Sequence, residues 1–306
     1  MAGKVLVTGG TGFIGRHTLA PLIEKGYEVH ATGRKQIDAP AAATLHSVDL
    51  LDHNAQCALF DEVKPDYLLH FAWYVEPGKY VSSFINYAWQ AATLHMLDQF
   101  KSTGGQRAVL AGTCFEYEFG EALLREDDSP ATANTLYGQV KNALRQEVAA
   151  WSRSNDLPCA WGRIFYLYGP HEYEKRLVAA VINNLLLNQA APCSEGNQIR
   201  DFMHVQDVAN AFVAVLESEI TGTINIASGV DDTIRDVVNM IGEFTGNTDQ
   251  LDFGAFQPRP GDPESVLGDV TKLRETVGWS PNYDLRSGIE HTVTWWREQL
   301  ASEKAL

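Results

Sequence analysis

"KVLVTGGTGFIGRHTLAPLIEKGYEVHA", residues 4–31, decides how the rest of the chain is read. A short β-rich run (4–8) is broken by glycines at 9, 12 and 15. A helical pattern follows and stops at Gly26, and 27–31 is β-rich again. Strand, glycine turn, helix and strand make up the opening of a dinucleotide-binding unit. Glycine allows the tight turn and lets backbone N–H groups approach a pyrophosphate, and the helix N-terminus adds partial positive charge. The spacing is GxxGxxG rather than GxGxxG, so the flanking strand and helix carry the reading.

The pattern continues outward from this unit. "LHSVDL" (45–50), "DYLLHFA" (66–72), "RAVLAG" (107–112) and "CAWGRIF" (159–165) read as strands, with helical patterns at 80–101 and 137–154. Strands alternating with helices at this spacing imply an α/β fold, a Rossmann-type doubly wound parallel sheet. After about residue 168 the alternation breaks. Residues 169–204 and 231–306 read as a smaller, interleaved α/β substrate-binding region. "GTINIA" (222–227) reads as a strand that rejoins the main sheet, so 1–168 and about 205–230 form the NAD(P)-binding domain.

The 306 residues carry a net charge of −15. Such a chain repels phosphate backbones and anionic membrane surfaces, so neither nucleic acid nor membrane is an expected partner. Cys57, Cys114, Cys159 and Cys193 form no close pair. No zinc motif or CxxC motif is visible, no metal is expected, and the sparse cysteines suit a reducing, cytoplasmic setting. "MAGK" leads directly into a strand, which leaves no room for a signal peptide. The apolar run at 176–187 is too short to span a bilayer.

Three groups of residues suggest chemistry. Asp49 and Leu50 close the expected third strand; an acid there can accept from an adenine amino group, or can be a solvated strand end. "TLYGQVK" sets Tyr137 and Lys141 four apart on one helix face. A lysine ammonium beside a phenol lowers the phenol pKa, so that it can exchange a proton with a carbinol while hydride moves to or from nicotinamide. "HATGRKQ" (30–36) has Gly33, Arg34 and Lys35 where an acid would otherwise hold the ribose 2′-OH. A 2′-phosphate is repelled by an acid and gripped by an arginine, so NADP(H) is the favoured cofactor and NAD(H) the alternative.

The ordered set "VTGGTGFIG", "VDL", "LLHFA", Asn86 in "FINYAWQAATL", "GTCFEY", "YGQVK", "GRIFYLYGP", "GNQIRDFMHVQDVANA", "TINIASG" and "RPGD" resembles the extended short-chain dehydrogenase/reductase family. These are NAD(P)-dependent nucleotide-sugar epimerases, dehydratases and reductases. The resemblance implies catalytic roles for Thr113, Tyr137 and Lys141, with Tyr137 the acid/base and Lys141 on the nicotinamide ribose. It implies cofactor contacts at Gly9, Thr11, Gly12, Phe13, Ile14, Gly15, Phe71, Ala72, Trp73 and Asn86. It also implies substrate contacts at Thr113, Tyr166, Arg200 and Arg259, the two arginines holding a diphosphate. Tyr166 replaces an asparagine that many members use there. Gln206 stands before Asp207 where many members have an aspartate, a change expected to be structural.

The resemblance further implies a homodimer built on the helices at 82–101 and 137–154, with apolar faces containing Phe84, Leu94, Leu97, Leu144 and Val148. Members that remove water between C5 and C6 carry an Asp–Glu pair after the catalytic Thr; here stand Cys114 and Phe115. The expected activity is NADPH-dependent reduction of a 4-keto-6-deoxy nucleotide-diphosphate sugar, with nucleotide-sugar epimerisation as the alternative. A cofactor-binding regulatory protein without turnover is the third reading. The loops around 74–80, 114–120 and 171–176 are expected to select the sugar.

Overall fold

The computed structural model describes residues 2–33, 37–257 and 261–303. In chain order the strands are β1 (Lys4–Thr8), β2 (Glu28–Thr32), β3 (Ala43–His46), β4 (Tyr67–His70), β5 (Arg107–Thr113), β6 (Cys159–Ile164), β7 (Tyr166–Tyr168), β8 (Ala191–Cys193), β9 (Ile199–Arg200), β10 (Phe202–His204), β11 (Gly222–Ile226), β12 (Leu251–Phe253) and β13 (Ser265–Val266). The α-helices are α1 (Gly15–Glu24), α2 (His53–Val63), α3 (Ile85–Ser102), α4 (Leu136–Asn155), α5 (Leu177–Leu186), α6 (Val205–Glu217), α7 (Ile234–Thr245) and α8 (Leu285–Glu303).

Seven strands form one parallel sheet in the order β11-β6-β5-β4-β1-β2-β3. Alternation along the strands divides the core. Val5, Val7 and Leu69 face α1 and α6, meeting Leu19, Leu22, Val208 and Phe212. Leu6, Leu68 and Leu110 face the opposite layer, with Phe60, Leu97, Leu144 and Val148 of α2, α3 and α4. The strand order reverses between β1 and β4, which is where doubly wound sheets open a crevice for ligands.

β11 pairs with β6 across the long intervening segment, in register from Gly222–Ala160 to Ile226–Ile164. That segment and the C-terminal one supply two-stranded pairs and a separate apolar cluster, in which Val178 and Ile182 of α5 meet Val237 and Ile241 of α7 and Ile289 of α8. Asp201 links the two parts. Its buried carboxylate accepts from Ser228 N (2.6 Å), Ser228 Oγ (2.7 Å), Gly229 N (3.0 Å) and Gly268 N (3.2 Å). Gln206 is likewise structural: its amide donates to His17 O at 3.0 Å and to Asn210 Oδ1 at 3.1 Å, tying α6 to α1.

The third strand differs from the expected 45–50. β3 ends at His46, and the chain then turns toward α2. Asp49 accepts from Leu51 N at 3.0 Å, and Asp52 caps α2 by accepting from Asn54 N and Ala55 N. Two aspartates that hydrogen-bond nearby backbone outcompete the strand ladder here.

The expected dimer faces also need correcting. Leu97, Leu144 and Val148 are buried against the chain's own sheet, and Leu94 packs partly on the same cluster. Of the five residues, Phe84 alone is strongly exposed, stacked with the exposed Tyr87. Among the described residues no helix is long and apolar enough to cross a membrane.

Candidate active site

The C-terminal ends of β1, β4, β5 and β6 and the start of β7 open into a cleft of about 900 Å³, within the range of small-molecule sites. Its cofactor side is the glycine turn. Gly9 has φ 68°, and a Cβ there would lie 2.8 Å from Ala72 N. Only glycine lets β1 turn this closely against the end of β4. Gly12 N bonds Gly9 O at 2.8 Å, and α1 starts at Gly15 with no side-chain cap on its first turn. Gly9, Gly12, Phe13, Ile14, Gly15, Phe71, Ala72 and Trp73 all line the cleft. A backbone cradle at a helix N-terminus fits a dinucleotide pyrophosphate.

Thr113 is the last residue of β5. Its N–H donates to Glu116 Oε1 at 2.9 Å, and its hydroxyl accepts from Phe115 N at 3.3 Å. This capping box fixes the turn 113–116. Glu116, fully buried, also accepts from Trp161 Nε1 (2.9 Å) and Arg163 Nε (2.8 Å). Arg163 in turn lies over the Tyr117 ring, 4.1 Å from its centroid. Removing one partner of such a buried pair costs about 3–5 kcal/mol, because the other charge is stranded. Glu116 is therefore committed to holding the turn. Burial pushes the Cys114 thiol well above its usual range.

Thr135 caps α4 by accepting from Gly138 N at 3.1 Å, which sets Tyr137 in the first turn and Lys141 one turn later. Both line the cleft with Thr113. Lys141 Nζ donates to Ala111 O at 2.9 Å and sits 3.6 Å from the Trp73 ring centroid. The Tyr137 ring meets Tyr80 edge-on at 4.9 Å. The expected lowering of the phenol pKa is not the direction found. Burial pushes Tyr137 well above the usual phenol range, with Tyr80 adding to the rise and a hydrogen bond to Thr113 opposing it. Burial also brings Lys141 down to about 7. Desolvation outweighs the neighbour effect at both groups.

Tyr166 and Arg200 line the substrate side of the cleft, with the guanidinium carbon 5.5 Å from the Tyr166 centroid. Arg200 Nη1 donates to Ile199 O at 2.7 Å. Its Nη2 lies 2.9 Å from Asp262 Oδ2 as an ion pair, yet makes no well-aligned hydrogen bond. We read this as a charge contact that leaves a donor for a ligand.

Several expected contacts do not reach the cleft wall. Asn86 is buried behind Trp73, accepting from its Nε1 at 2.8 Å and donating to Tyr80 O and Ser83 O. It acts on the cleft through those residues. Asp49 is exposed, and Leu50 packs in the core. Thr11 packs against Gly33, where an added Cβ would lie 1.8 Å from Thr11 Oγ1. The space beside Gly33 is thus filled by Thr11. Arg34, Lys35 and Arg259 lie outside the described residues. The cleft lining also includes Tyr80, Glu172 and Arg176, from the loops 74–80 and 171–176 expected to select the sugar, and Gln198, none of which the sequence singled out individually. No motif marks Tyr80 or Glu172 within those loops. Among the described residues no group of three or more His, Cys, Asp or Glu could hold a metal ion.

The model of the NAD dependent epimerase/dehydratase family matches residues 5–227. The chain is 26% identical to a UDP-glucose 4-epimerase of Corynebacterium glutamicum, covering 94% of each protein. It is 26% identical to UDP-glucuronic acid decarboxylase 1 of Xenopus tropicalis, covering 97% of this chain and 73% of that one. Among solved structures, the Thermus thermophilus UDP-glucose 4-epimerase in complex with NAD superposes with a TM-score of 0.87 at 26% identity, covering 96% of this chain and 99% of that one.

Proposed function

The chain belongs to the NAD dependent epimerase/dehydratase family, and on that premise we propose that it is an NADPH-dependent reductase of a 4-keto-6-deoxy nucleotide-diphosphate sugar. One observation carries the choice of cofactor. In sequence, residues 33–37 after β2 contain no acid, and the first one to follow, Asp38, is exposed. An acid at the strand end selects the free ribose 2′-OH, whereas arginine and lysine suit a 2′-phosphate. Net reduction consumes a reductant at each turnover, which NADPH supplies.

The bound cofactor supplies the hydride that goes to the keto carbon. Tyr137 gives its hydroxyl proton to the carbonyl oxygen, and a phenol held protonated by burial is in the form this step needs. Thr113 hydrogen-bonds the same oxygen. Lys141 holds the nicotinamide ribose, and Gly9, Thr11, Gly12, Phe13, Ile14, Gly15, Phe71, Ala72 and Trp73 seat the rest. Tyr166 and Arg200 face the diphosphate, and the resemblance to the family gives Arg259 the same role. Cys114 and Phe115 cannot exchange protons with C5 and C6, and Glu116 is held by Arg163, so elimination of water has no acid/base pair.

The test supplies NADPH with 4-keto-6-deoxy sugars linked to UDP, dTDP, GDP or CDP. Consumption of NADPH matched by loss of the carbonyl is expected. Interconversion of UDP-glucose and UDP-galactose with no net oxidation, and no NADPH consumed with any keto sugar, would establish the second reading. That reading is an epimerase, and the near-full-length likeness to UDP-glucose 4-epimerases favours it.

We also propose a homodimer through the outer faces of α3 and α4, where Phe84 and Tyr87 stand exposed. Light scattering is expected to give twice the chain mass; a single-chain mass at working concentration removes the proposal.

A further inference from the structure

We propose that Glu172 is a substrate contact whose carboxyl oxygen Oε2 hydrogen-bonds the sugar of a nucleotide-diphosphate sugar held in the cleft. The inference rests on reading the cleft as a nucleotide-sugar site. Glu172 is 5% exposed and lines the same cleft as Thr113 and Tyr137. Its carboxyl takes a hydrogen bond from the Ala179 N–H in the first turn of α5, yet Oε2 has no partner. A buried carboxyl oxygen left unpaired is costly, and proteins keep few of them. Gln198 Oε1 and Arg200 Nη2 line the same cleft and are likewise buried without a hydrogen-bond partner. Two segments, the loop that carries Glu172 and the stretch 198–200, thus leave such atoms around one cleft, although Arg200 Nη2 is ion-paired with Asp262 at 2.9 Å.

The chemistry of each group suggests a division of labour. The guanidinium groups of Arg176 and Arg200 match a diphosphate, whereas a carboxyl suits hydroxyl and carbonyl oxygens. Burial pushes Glu172 up to about 8, with Arg176 and the Ala179 N–H opposing the rise. At neutral pH the carboxyl keeps its proton and can donate to a sugar oxygen. Above that pKa it becomes an anion facing an anionic ligand, so affinity is present below about 8 and lost as pH rises through it.

A purely structural Glu172 would only cap α5. Calorimetry on the NADP⁺-loaded protein separates the two, with UDP-, dTDP-, GDP- and CDP-glucose as probes. For whichever probe binds, Glu172→Ala is expected to weaken affinity about tenfold, while Glu172→Gln, which keeps a donor and a cap acceptor, stays within about threefold. Wild-type affinity should fall between about pH 7 and about pH 9. Lys141 on α4, Tyr166 on β7, Arg200 on β9, Asp262 and Arg176 also face the cleft, so the decisive quantity is the part of the pH profile that Glu172→Gln removes. Should Glu172→Ala fail to fold, that comparison still decides. Equal affinity in both variants, an unchanged pH profile in Glu172→Gln, or affinity that rises with pH overturns the inference. If none of the four probes binds, the nucleotide-sugar reading itself falls, and the inference with it.

Discussion

Tyr137→Phe is expected to lower kcat by about 10²–10⁴-fold while leaving NADPH affinity unchanged. The phenol lines the cleft with Thr113 and has a proton to give, and the substitution keeps the ring that packs against Tyr80 and Phe115. Because burial raises this pKa, the proton-bearing form persists throughout the neutral range and is lost only in strong alkali. Loss of activity nearer neutrality should therefore follow Lys141, which burial brings down to about 7. Single-turnover kinetics on both proteins across pH is the measurement. Turnover within threefold of wild type, on the scale of a roughly 10²-fold effect, would hand the proton to another group.

The second large effect concerns the nucleotide. Arg34→Ala is expected to weaken NADPH binding on the order of 10- to 100-fold and to leave NADH binding unaltered, since only the 2′-phosphate uses the guanidinium. Fluorescence titration of both nucleotides against both proteins checks this. Equal wild-type affinities, or a preference that survives the substitution, would remove the basis for assigning a reductase over an epimerase.

These two residues differ in how far the sequence could take them. The sheet was legible because glycines and apolar runs punctuate it: β1, β5 and β6 lie within a residue or two of where the pattern puts them. "SVDL" misled because aspartate serves both strand ends and helix starts, and only the bonds made by Asp49 and Asp52 tell which. Tyr137 and Lys141 were visible as a spacing on a helix, but spacing reveals a neighbour and not a burial, so the sign of the phenol shift was missed. Leu97, Leu144 and Val148 belong to real apolar faces; a periodicity does not say which layer a face meets. Glu172 was legible only as part of the loop 171–176, because a glutamate among charged loop residues reads as solvated until its surroundings are in place.

The partnership of β6 with β11 reaches beyond the site. The β11 strand pairs along β6, and α6, which leads into it, packs Phe212 and Val208 with Leu19 and Leu22 of the first helix. The layer that covers α1 is thus supplied by chain made long after α1 itself. A ribosome must deliver the sequence through Glu217 before α6 completes that face, and until then Leu19, Leu22, Val5 and Val7 lack the cover of Val208 and Phe212. Late closure by distant segments makes assembly slow relative to local helix formation and leaves sticky surface open meanwhile. The substrate-side insertion between β6 and α6 is therefore also a delay line in the birth of the protein.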